Sequence, residues 1–268
     1  MKLYFDETVL TERNVPVILV YQKELKNMPL VFLHHGATGT AAHMLDMAAE
    51  FALRGCFACT VDALWHGRRK ETDHDLKAAN GKLNFTRLLK HIAEDMTAII
   101  DYLKDDDKVD TGRIGTTGLS QGGFVSFMAV SKEPRITAAA PVVGTPDVKS
   151  FFDTFAADPE VLHVNFKVDR PPDIIVREEE EFKQFFLHEN PIVNYKNFFP
   201  TALFIQNGAL DTMVVPTGTR RLNELLTPIY ASCPEKFTYL EYPENGHDVT
   251  DDMREKAIDW LCAELLGK

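Results

Sequence analysis

Arg113-Ile-Gly-Thr-Thr-Gly118-Leu-Ser120-Gln-Gly122-Gly-Phe-Val-Ser-Phe-Met-Ala-Val130 is the stretch that decides how the rest of the chain is read. Arg113–Leu119 has the character of a strand, and Gln121–Lys132 that of a helix following it without a linker. At the junction stands Gly118-Leu119-Ser120-Gln121-Gly122, a G-x-S-x-G sequence. The pattern alone is common and weak, and its bland reading is a Gly-Ser turn between strand and helix. A strand before it and a helix after it supply the context of a nucleophile elbow, in which a sharp turn exposes the serine hydroxyl. Gly118 and Gly122 let backbone pass close to backbone there. The helix starting at Gln121 aims free N–H groups and a positive dipole end at Ser120.

Outward from this junction, strand-like and helix-like segments alternate. Two short strands, Leu3–Leu10 and Val15–Tyr21, open the chain. Pro29–His34 and Cys56–Ala63 are apolar strands, with a helix over about Ala41–Leu53 between them. Phe85, Leu88, Leu89, Ile92, Met96, Ile99, Ile100 and Leu103 recur at helical spacing and predict a helix over Asn84–Lys104. Ile136–Val143, Ala202–Gln206 and Phe237–Tyr242 add strands, and Thr219–Ala231 and Thr250–Leu266 add helices. This order predicts an α/β fold: a mostly parallel sheet with helices on both faces and its active site at the carboxyl ends of the strands. Residues 147–199 break the rhythm. Val148, Phe151, Phe152 and Phe155 form one amphipathic face, Phe182, Phe185 and Phe186 another, and Pro171, Pro172 and Pro191 punctuate the segment. The expectation is one domain over 1–268 with a small helical cap inserted at about 147–199, the run Glu178–Glu181 opening one cap helix.

The net charge of −11 disfavours phosphate backbones, so nucleic acid is not expected as a partner. No apolar run is long enough to span a bilayer and the start lacks a secretory pattern, so no membrane is expected and a cytoplasmic location is. Cys56 and Cys59 have C-x-x-C spacing, but on one strand their side chains point to opposite faces, which makes them buried free thiols rather than a redox or metal pair. Gly36-Ala-Thr-Gly39 lies between a strand and a helix, yet neither nucleotide-binding glycine pattern is present.

A serine hydroxyl needs a positioned base. His247 follows the Phe237–Tyr242 strand and the turn Pro243–Gly246, and stands before the last helix. His43, His74, His91, His163 and His188 fall on helices or in the cap and read as surface or packing residues. The base needs a carboxylate to fix its tautomer. Asp211 follows the Ala202–Gln206 strand; alone it would be a turn aspartate. The order Ser120, Asp211, His247 is that of α/β hydrolases. An oxyanion needs two donors: the Gln121 N–H is one, and the loop His34-His35-Gly36-Ala37 offers the Ala37 N–H as the other. Gly36 permits the tight turn, and His35 supports the loop.

The chain as a whole resembles the α/β-hydrolase superfamily, near the small bacterial esterases of the prolyl-oligopeptidase and dienelactone-hydrolase branch. The resemblance rests on Leu33–Ala37, Asp62–Arg68, Gly118–Gly123, Gly208–Pro216 and Asn245–Asp248. It implies an eight-stranded, mostly parallel sheet with the second strand antiparallel, and makes His66-Gly67-Arg68 a structural turn after the fourth strand. Ser120 stands where dienelactone hydrolases carry cysteine, and no amino-terminal propeller is expected. Both departures favour hydrolysis of small-molecule carboxylic esters through an acyl-enzyme, with no cofactor and no metal. Thioester or short-peptide hydrolysis on the same residues is the alternative, and a non-catalytic binding protein on this scaffold a more distant one. The oligomeric state is left open.

Overall fold

The computed structural model describes residues 2–70, 81–157 and 172–267; the side chains of 81–82, 155–157, 172–175 and 178 lie outside that description, as do His74, His163 and Pro171. Eight strands form one sheet: β1 Leu3–Leu10, β2 Val15–Gln22, β3 Met28–His34, β4 Phe57–Val61, β5 Val109–Leu119, β6 Ile136–Val142, β7 Ala202–Gly208 and β8 Phe237–Tyr242. Their order across the sheet is β1-β2-β4-β3-β5-β6-β7-β8. β2 is antiparallel to both its neighbours and every other pairing is parallel. This is the α/β-hydrolase sheet, and β3, β4 and β7 are buried along their whole length because both faces are covered.

Alternate residues of β3 feed two cores. Val31 and Leu33 meet Ala48 and Phe51 of α1 (Leu45–Leu53) and Ile258 and Leu261 of α7 (Asp251–Leu266). Leu30 and Phe32 join the other core, with Leu88, Ile92 and Met96 of α2 (Gly81–Leu103), Phe124 and Phe127 of α3 (Gln121–Lys132), and Leu222 of α6 (Thr217–Leu226). Burial of each of the Val, Leu, Ile, Phe and Met side chains among these contributes roughly 1.5–3 kcal/mol. Cys56 and Cys59 form no disulfide and fall in opposite cores, as strand alternation requires. α7 starts where Thr250 accepts the Met253 N–H at 3.2 Å and ends on Gly267 at φ +67°.

After β6 the chain enters α4 (Val148–Ala157), and it returns through α5 (Pro172–Gln184) and a wider helical turn, Phe185–Glu189. Phe85 and Phe124 of the body and Phe151, Phe152, Phe182, Phe185 and Phe186 of this segment form a continuous run of ring contacts. Those rings therefore hold the segment to α2 and α3. Glu178–Glu181 lies inside α5 instead of opening it, because Pro172, suited to a first helical turn, starts the helix earlier. Glu181 there accepts from Arg87 Nε at 2.8 Å. The two ends of the segment are clasped. Asn190 Nδ2 donates to Asp147 Oδ1 at 3.1 Å, Asn190 Oδ1 accepts the Val148 N–H at 3.1 Å, and the Ile192 N–H donates to the Pro146 carbonyl at 3.0 Å. Among the described residues no helix is long and apolar enough to cross a membrane.

Candidate active site

Ser120 stands between β5 and α3 with φ +56° and ψ −113°, a conformation that L-residues occupy only under constraint. The constraint is visible in two close approaches. A Cβ on Gly118 would lie 2.3 Å from the Gly122 carbonyl oxygen, and one on Gly122 would lie 2.1 Å from the His34 carbonyl oxygen. The elbow is thus pressed onto itself and onto the end of β3. The Ser120 N–H is fixed by the Val142 carbonyl of β6 at 2.9 Å.

Asp211 lies in the turn after β7, where its Oδ1 accepts the N–H groups of Met213 at 2.9 Å and Val214 at 2.7 Å. Its Oδ2 is left to face His247 Nδ1 at 2.7 Å. A carboxylate only accepts, so His247 carries its proton on Nδ1 and presents a lone pair at Nε2. Nε2 lies 2.7 Å from Ser120 Oγ. The Asp211 side chain is fully buried, while that of His247 is 19% exposed, which leaves the imidazole reachable at the carboxyl edge of the sheet. The loop bearing His247 is held against the end of β7, the Leu210 N–H donating to the Asn245 carbonyl at 2.9 Å.

Ala37 and Gln121 are the other residues singled out by sequence. Gln121 opens α3, and Ala37 is exposed in the loop after β3. Gly36 brings that loop to the elbow: a Cβ there would lie 3.4 Å from the Leu119 carbonyl oxygen and 3.9 Å from Ser120 Cβ. Among the described residues neither the Ala37 nor the Gln121 N–H has an acceptor in the chain. Two free donors therefore flank the serine, one from a helix start and one from a loop.

His35 is buried and held at both ring nitrogens: Nδ1 donates to the Gly36 carbonyl at 2.8 Å and Nε2 accepts the Ala63 N–H at 3.1 Å. Burial pushes its pKa down to about 4, so it is neutral near pH 7. His34, at the end of β3, is pushed down to about 3 by burial and by His35, and neither of its ring nitrogens has a partner. His43 and His91 bond to Thr40 and Arg13, away from Ser120. A further residue enters the neighbourhood that sequence left aside. Asp62, just past β4, accepts the Ala41 N–H at 2.7 Å and the Arg68 N–H at 3.1 Å. Its place before His66-Gly67-Arg68 was the available signal.

The sheet order, the elbow and the hydrogen-bonded row Ser120–His247–Asp211 at the carboxyl edge define an α/β hydrolase. The model of the prolyl oligopeptidase family matches residues 86–265, and the chain belongs to that family. The acetyl xylan esterase family model matches residues 2–146. Among curated proteins the chain is similar to "Putative esterase YitV" of Bacillus subtilis, 23% identical over 256 residues that cover 94% of this chain and 96% of the other. Among solved structures it superposes on TT1662 from Thermus thermophilus with a TM-score of 0.74, 17% identity and 99% of each chain covered. Acetyl xylan esterase 1 from Thermoanaerobacterium gives 0.69, 16% identity, and coverage of 97% of this chain and 87% of the other.

Proposed function

We propose that the protein hydrolyses small-molecule carboxylic esters, with Ser120 as nucleophile, His247 as general base and Asp211 as the carboxylate that orients it. The observation carrying this reading is the continuous row of hydrogen bonds, 2.7 Å from Ser120 Oγ to His247 Nε2 and 2.7 Å from His247 Nδ1 to Asp211 Oδ2. His247 takes the hydroxyl proton as Oγ attacks the ester carbonyl carbon, and the N–H groups of Gln121 and Ala37 hold the resulting oxyanion. Collapse expels the alcohol, which leaves with the proton from His247. Water then attacks the acyl-serine, giving its proton to His247, and the acid departs as the serine is regenerated. The net charge of −11 disfavours nucleic acid as a partner.

The test is hydrolysis of p-nitrophenyl acetate, butyrate and octanoate, and of matching thioesters, by wild type and Ser120→Ala. Ester turnover that falls on the order of 10⁴-fold or more in a folded mutant is the expected result. Equal rates from the two folded proteins on every substrate would sink the reading. The prolyl oligopeptidase match favours short peptides as a second substrate class on the same residues. Peptide p-nitroanilides in the panel separate the two.

A further inference from the structure

The loop that offers the Ala37 N–H is suspended between two anchors that are adjacent in sequence. At its near end His35 Nε2 accepts the Ala63 N–H at 3.1 Å, while His35 Nδ1 donates to the Gly36 carbonyl at 2.8 Å. At its far end the Ala41 N–H donates to Asp62 Oδ1 at 2.7 Å. Between the anchors the Gly39 N–H closes back on the Gly36 carbonyl at 3.0 Å. Asp62 is itself 2% exposed and held by its second oxygen, which accepts from the Arg68 N–H at 3.1 Å and Arg68 Nε at 3.3 Å. Arg68 in turn donates to the Val17 carbonyl of β2 at 3.0 Å. Gly67 is required beneath this arrangement, since a Cβ there would lie 2.1 Å from Asp62 Oδ1.

We infer that Asp62 is a positioning residue for ester hydrolysis: by holding the Ala41 N–H while the next residue holds His35, it fixes where the Ala37 N–H points. A buried carboxylate at the end of a central strand costs desolvation, and its bonds here go to one loop end and to the arginine that steadies it. The reaction gives that precision a use, because a donor displaced by about an ångström from a forming oxyanion forfeits much of its effect. Asp62 touches no reacting atom. The inference rests on the proposed role of Ala37 and goes beyond it by naming what aims that donor.

The test compares wild type, Asp62→Ala, Asp62→Asn and Ala41→Pro in p-nitrophenyl acetate hydrolysis, with inhibition by butylboronic acid and by butyramide. The asparagine retains an oxygen for the Ala41 N–H. Proline at 41 deletes that donor without touching Asp62, at the first position of a helical turn and after Thr40 in extended geometry at ψ 168°, where proline is tolerated. Asp62→Ala and Ala41→Pro are expected to lose roughly 10- to 100-fold in kcat with KM within about threefold, and Asp62→Asn less. Butylboronic acid, whose serine adduct needs the oxyanion donors, should weaken in step with kcat, while butyramide binding stays constant. Unchanged kcat in folded Asp62→Ala or folded Ala41→Pro overturns the inference, as does equal loss of boronate and butyramide binding. A folded wild type without ester turnover removes the proposed function, and the inference falls with it.

Discussion

Gly208, the last residue of β7, lies so close to Gly246 that a Cβ on it would stand 2.2 Å from the Gly246 carbonyl oxygen. The residue after Gly246 is His247, so the loop carrying that imidazole is seated directly on the strand that leads to Asp211. Gly208→Ala is expected to push that loop outward and lower kcat by roughly 100-fold while the protein remains folded. Steady-state kinetics beside circular dichroism check this, and unchanged kcat would mean that the loop has slack.

Ser120 sits at φ +56°, which costs a non-glycine residue about 1–3 kcal/mol. Glycine bears no such cost, whereas alanine keeps it. Ser120→Gly and Ser120→Ala should therefore be equally inactive, but the glycine variant should be the more stable to urea by about 1 kcal/mol. Equal stabilities would mean that the elbow relaxes once the hydroxyl is gone.

The two histidines ending β3 should make stability depend on pH. Their folded pKa values, about 3 for His34 and about 4 for His35, lie below the unfolded value, so the unfolded chain binds more protons in between. Stability contributed by their neutral burial is present above about pH 6.5 and is lost as pH falls toward 4, with a slope approaching 1.4 kcal/mol per pH unit for each. His34→Phe removes one contribution and two unpartnered ring nitrogens, leaving an aromatic ring where the imidazole stacks on Phe32. Urea melts from pH 4.5 to 7 should show a flatter slope and higher stability at pH 5 for the variant. A slope identical to wild type would rule out neutral burial of His34.

Asn190 joins the two ends of the segment between β6 and β7 through Asp147 and the Val148 N–H. Asn190→Ala should destabilise the protein by about 1–3 kcal/mol, because buried partners lose their bonds. It should also speed limited proteolysis within 148–189 more than elsewhere. Cleavage spread evenly over the chain would instead point to global loosening.

The strands, and the placing of Ser120, Asp211 and His247 at strand ends, were legible because each depends on local pattern: apolar runs for strands, helical periodicity in α2, and glycines beside a serine. The strand boundaries shifted by a few residues, as in β5, which begins at Val109 ahead of Arg113. The Glu178–Glu181 run misled, because charge at a helix start is a weaker signal than proline at its first turn. The bonds Asp62–Ala41 and Asp147–Asn190 were not legible, although the His66-Gly67-Arg68 turn marked the neighbourhood of Asp62. Each joins residues far apart in sequence, with no periodic pattern to link them.

The site is assembled from two separately braced halves. Ser120, Gln121 and the loop after β3 are joined through Gly122 and His34, whereas Asp211 and His247 are joined through Gly208 and Gly246. The halves meet at the hydrogen bond between Ser120 and His247, with β6 lying between their strands. The arrangement is that of a caliper, two braced jaws whose separation is set by the sheet between them. Agents that widen that gap while leaving each jaw intact, such as mild chaotrope below the unfolding transition, would slow the enzyme before any loss of secondary structure is detectable.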